Sequence, residues 1–149
     1  RLDGPGRFQV LAQFDDMAVL DKETGLVWER VPGNSRDNWA NAFGLCFQKT
    51  YAGRKGWRLP KTDEIASLMA PGREGPALPA KHPFDIGRDM IFWTANTYAV
   101  PAQSTVYVAD FGPEGGAFYI RGKTPVEENP DEPQLRVWCV RAPGGTADG

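Results

Sequence analysis

The chain of 149 residues contains two cysteines, Cys46 and Cys139, 93 positions apart, and this pair restricts its topology more than any other feature. The separation excludes a CxxC redox or zinc motif. If the two are bonded, the first helix is tied to the last strand, and the closed loop removes on the order of 4–5 kcal/mol of chain entropy from the unfolded state. Such a bridge belongs to an oxidising compartment; the alternative is a pair of buried free thiols in a reducing one. The chain starts at Arg1 rather than at methionine, which predicts a processed or trimmed form from which any secretion signal has gone.

Between the cysteines and around them the pattern is that of an α+β chain. Phe8 to Phe14, Ala18 to Leu20 and the run LVWERV read as strands of an N-terminal hairpin or meander, with DKETG as a turn. In SRDNWANAFGLCFQK, Trp39, Ala42, Phe43 and Cys46 fall at helical spacing, with Ser35 or Asp37 as the N-cap. Cys46 then faces the core. A second helix follows Pro60, capped by Thr62, with Asp63 and Glu64 at the positive end of its dipole and Ile65, Leu68 and Met69 on its buried face. Pro71 to Arg88 reads as a long surface loop pinned by Leu78, Phe84 and Ile86. MIFWTA, TVYVADF, AFYIRG and LRVWCVR are strand-like, with GPEGG a hairpin turn. Strands, two helices, a long loop and strands again predict one domain over residues 1–149, α+β rather than alternating βαβ, with 142–149 a frayed tail. Trp28, Trp93 and Trp138 are expected in its core.

The row Trp57-Arg58-Leu59-Pro60 reads as a structural corner. Trp57 and Leu59 bury on one side of an extended segment, Pro60 keeps Leu59 out of the helical region, and Arg58 reaches Glu64 or a loop carbonyl to hold the helix start. A catalytic role is disfavoured, because Trp, Leu and Pro neither transfer protons nor attack a substrate.

LDKETGLVWER, NWANAFGLC, GWRLPKTDEIASL, FWTA and RVWCVR, in that order and over nearly the whole chain, resemble the domain that closes the Legionella collagen-like adhesin, the DUF1566 family. The resemblance implies a C-type-lectin-like fold, with two helices packed on short antiparallel sheets with long loops, related to the formylglycine-generating enzymes. It implies a bacterial, secreted, periplasmic or cell-surface recognition domain. The reactive cysteine pair of the formylglycine-generating relatives has no counterpart here. The resemblance fades between Val100 and Pro133, where ligand specificity is expected.

The residue inventory disfavours catalysis. His82 is the single histidine, set in a loop between Lys81 and Pro83 and expected to be solvated. GxSxG, P-loop and GxGxxG motifs are absent, and no acidic pair stands out as a glycosidase dyad. A net charge of −2 argues against nucleic acid as a partner, and no apolar run approaches the roughly 18 residues of a membrane span. The expected partner is a carbohydrate or a protein at a surface, with homo-oligomerisation, as the tip or assembly module of a fibre, pilus or phage tail, as the alternative function. Candidate ligand-binding residues are Tyr98, Tyr107, Tyr119, Arg121, Glu128, Asn129 and Asp131. Glu127, Glu128, Asn129, Asp131 and Glu132 also form a candidate calcium loop; otherwise no cofactor is expected. Lys49, Arg54 and Lys55 form an alternative polyanion-binding stretch suited to a glycosaminoglycan.

Overall fold

The computed structural model describes residues 4–33, 36–37, 39–70, 77–79, 81–87, 90–98, 105–112, 117–122 and 135–142. In chain order these form a one-turn helix α1 (Gly4–Arg7), β1 (Phe8–Val10), a 3-10 turn (Ala12–Phe14), β2 (Ala18–Asp21), β3 (Val27–Glu29), β4 (Arg36–Asp37), α2 (Trp39–Gln48), β5 (Trp57–Arg58) and α3 (Thr62–Ala66). There follow β6 (Ile91–Tyr98), β7 (Thr105–Asp110), β8 (Ala117–Gly122), β9 (Leu135–Arg136) and β10 (Val140–Arg141). The architecture is α+β, with α2 and α3 as the two expected helices set against two short five-stranded sheets.

The first sheet runs β1-β2-β3-β10-β5 and is antiparallel throughout. Its first three strands are the expected meander. The second runs β4-β9-β6-β7-β8, with β6 and β9 parallel at Phe92 and Arg136 and a register shift in β6–β7 between Trp93 and Thr97. The GPEGG turn lies mostly outside the described residues, but the strands it joins pair from Thr105↔Gly122 to Asp110↔Ala117.

LRVWCVR is two strands rather than one. Leu135–Arg136 belongs to the second sheet and Val140–Arg141 to the first. Burial explains the break: Val137, Trp138 and Cys139 are all buried, and this linker passes between two cores that need both faces of it. Trp138 packs at 5.2 Å from Phe84 and Phe92 and 5.3 Å from Trp28, while Cys139 joins the cluster of Phe14, Trp57 and Trp93. Trp28, Trp93 and Trp138 are fully buried.

Three other expectations are corrected. Phe8 to Phe14 is not one strand, because the chain leaves β1 after Val10 and turns through Asp15 in the left-handed region (φ 55°). Phe43 is exposed rather than buried, although it is tilted against Trp39 at 5.2 Å. The cap of α3 is not Thr62, which lies inside the helix after Lys61. The backbone N–H of Lys61 donates to Glu64 Oε1 at 2.9 Å and that of Thr62 to Asn96 Oδ1 at 2.7 Å, so a strand side chain satisfies one of the helix's first donors.

Candidate functional site

The start of α2 is fixed by two indoles. Trp93 Nε1–H donates to Asp37 O at 2.7 Å, and Trp39 Nε1–H donates to Thr94 O at 2.8 Å, a reciprocal tie between the helix and β6. The other end is fixed covalently, through a disulfide joining Cys46 to Cys139. Lys49, just beyond the helix, forms an ion pair with the fully buried carboxylate of Glu29. Glu29 Oε1 in turn accepts the backbone N–H of Cys139 at 2.7 Å. Burial pushes the Glu29 carboxyl above the usual carboxylate range, against the lowering pull of Lys49 and of the Cys139 N–H.

With both ends held, α2 forms one wall of a groove of about 740 Å³, a volume within the range of small-molecule sites. Asn41, Gly44, Leu45 and Gln48 of α2 line it together with Gly33, Asp37, Lys49 and Val137. Asn41 Nδ2 donates to Asp37 Oδ1 at 2.9 Å. The lining at Gly33 is braced by Arg136, which is buried and donates to the carbonyls of Gly33 and Pro32 at 3.0 Å each, and also to Ile86 O. Its guanidinium lies 4.9 Å from the centre of the Phe92 ring.

The corner expected at Trp57 to Pro60 has a specific geometry. Trp57 and Leu59 are buried, Trp57 pairs with Arg141 and Arg58 with Val140 at the edge of the first sheet. Arg58 forks onto Glu64, Nη1 to Oε1 at 2.7 Å and Nη2 to Oε2 at 2.8 Å. Burial by itself would raise the Glu64 carboxyl, but the Arg58 fork and the Lys61 N–H outweigh it and hold the group below its ordinary range.

Of the ligand-binding candidates, Tyr107 is half-buried on β7 and lines a depression of about 420 Å³ with Thr62, Asp63 and Ala66. Tyr98 ends β6, and Tyr119 and Arg121 lie on β8, where they pair with Val108 and Val106. Glu127, Glu128, Asn129, Asp131 and Glu132 lie outside the described residues. Of the polyanion candidates, Lys49 pairs with Glu29, and Arg54 is stacked 4.7 Å from Phe14 and reaches Gln13 O at 3.4 Å, whereas Lys55 is exposed, with its backbone carbonyl accepting Arg141 Nε–H at 2.6 Å. His82 is half-buried rather than solvated, stacked on Phe84 with Nδ1 accepting the Phe84 N–H at 3.1 Å.

The α2 groove was not anticipated from sequence. The available signal was Gly44, a helix-interior glycine with no turn to make.

Among the described residues no helix is long and apolar enough to cross a membrane. The family model of the Lcl C-terminal domain matches residues 17–141. Neither a curated protein nor a solved structure matches the chain.

Proposed function

Because the chain belongs to the Lcl C-terminal domain family, we propose that it is a non-catalytic recognition domain of a bacterial adhesin-like surface protein, working outside the cytoplasm on carbohydrate or a protein partner. The observation that carries the location is the Cys46–Cys139 bond, which persists in oxidising compartments and is rare in reducing ones. A C-type-lectin-like relationship fits the α+β layout with helices beside short sheets. The frame, with its disulfide, the Lys49–Glu29 and Arg58–Glu64 ion pairs and its indole ties, supports a scaffold that carries recognition on its surface.

An assembly role is the second reading. It is favoured by Phe43 and Phe47, an i, i+4 pair of residues on α2 that are 43% and 74% exposed, since large exposed apolar side chains in a cluster mark interaction surfaces. A glycan array together with mass measurement in solution separates the two. Glycan signal from a monomer supports recognition, whereas an obligate oligomer with a blank array supports assembly. Melting with and without calcium tests the acidic segment at Glu127 to Glu132, since a metal bound only by the folded state raises the midpoint.

A further inference from the structure

We infer that the α2 groove is a binding site for a short, uncharged saccharide, an inference that rests on the recognition reading above and assigns it a place and a ligand class.

Two glycines line the groove. Gly44 sits inside α2, where glycine destabilises a helix relative to alanine, yet a Cβ added there would meet nothing nearer than Gln48 Nε2 at 4.0 Å. Gly33, also in the lining, has nothing within 4 Å of the corresponding position. Neither carries a positive φ that would demand glycine. Open space therefore lies over both glycines, one of them at a helix position that alanine would strengthen.

The chemistry of the lining selects the ligand. Among the described residues, the ionisable groups lining the groove are Asp37 and Lys49, and the Lys49 ammonium is already matched by Glu29. Among the described lining residues a sulfate or carboxylate would meet Asp37 and find no unmatched cation, so a polyanion is disfavoured there. The amides of Asn41 and Gln48 and the carboxylate of Asp37 together supply donors and acceptors, as vicinal hydroxyls require, and Leu45 and Val137 offer apolar surface for the C–H face of a ring. The walls are preorganised: Arg136 fixes the carbonyls of Gly33 and Pro32, and the disulfide fixes the helix end, so little ordering cost falls on binding.

The test uses the full chain on an array of neutral hexose and N-acetylhexosamine oligosaccharides beside sulfated ones, with Gly44→Leu, which projects a side chain into the open space over Gly44, and Gln48→Ala, which removes an amide. The expected result is binding to neutral oligosaccharides, weakened at least tenfold in both variants while their melting midpoints stay at or above wild type for Gly44→Leu and near it for Gln48→Ala. Neutral glycans bound equally by wild type and folded Gly44→Leu would overturn the groove assignment and leave the recognition reading standing elsewhere on the surface. Binding confined to sulfated glycans would overturn the ligand class alone. A blank array from folded protein would overturn the inference and the carbohydrate reading together.

Discussion

Arg58 and Glu64 meet as a two-bonded fork, at 2.7 and 2.8 Å, across the bend that joins an edge strand to the start of α3. The same carboxylate also accepts the backbone N–H of Lys61, so one side chain both closes the corner and caps the helix. Arg58→Ala is expected to lower stability by about 1–3 kcal/mol, the range for losing a charge-assisted hydrogen-bond partner, with ligand affinity unchanged. Denaturant melts beside binding isotherms check it; lost affinity with an unaltered melt would place Arg58 in a ligand site.

The fork also sets the acid limb. Glu64 is held below its ordinary range, so its contribution is present above the unfolded carboxylate value and is lost as pH falls through the lower folded value. Glu64→Gln should flatten that part of the stability–pH curve. An unchanged acid limb in the variant would mean that the fork is not the group responsible.

Glu29 has the opposite sign. Its carboxyl is raised by burial, so only between the ordinary carboxylate value and the raised one does the folded protein hold a proton that the unfolded chain has released, and stability declines as pH rises through that window, above which the carboxylate is paired with Lys49. Glu29→Gln keeps an acceptor for the Cys139 N–H and should remove that decline, while Glu29→Ala strands the N–H and costs about 3 kcal/mol. Urea melts at a series of pH values distinguish the two variants.

Arg136 donates to three main-chain carbonyls from a buried position. A lysine keeps the charge but not the planar fork, so Arg136→Lys should destabilise the chain by about 2–4 kcal/mol. A variant that melts like wild type would show that a point charge suffices and that the fork geometry is incidental.

Native, never-reduced protein treated with an alkylating reagent should show no labelled thiol by intact mass, because Cys46 and Cys139 are bonded. Replacing both with serine should cost on the order of 4–5 kcal/mol in the loop-closure model. Two alkylated cysteines would remove both the bond and the argument for an oxidising compartment.

Short-range pattern along the chain accounts for what depends on near neighbours. Apolar, strand-like runs around Trp28 and Trp93, helical spacing from Trp39 to Cys46, and Pro60 before an acidic first turn are local constraints of backbone and rotamer, and β3, β6, α2 and α3 follow from them. The corner was legible for the same reason, since Arg58 and Glu64 are six residues apart.

Tertiary structure decided what depends on which elements meet. The run LRVWCVR is continuous in pattern, but it is split between two sheets because Trp138 and Cys139 are claimed by different cores. Lys49 belongs to a basic stretch in sequence, yet folding delivers it to Glu29, 20 residues earlier and buried, since an ammonium near a desolvated carboxylate pairs with it before it serves any ligand. Asn96 caps a helix that begins 34 residues before it. The groove arises only when β4, α2 and the segment after β9 are brought together, because open space is a property of surfaces that face each other and no single stretch of chain encodes it.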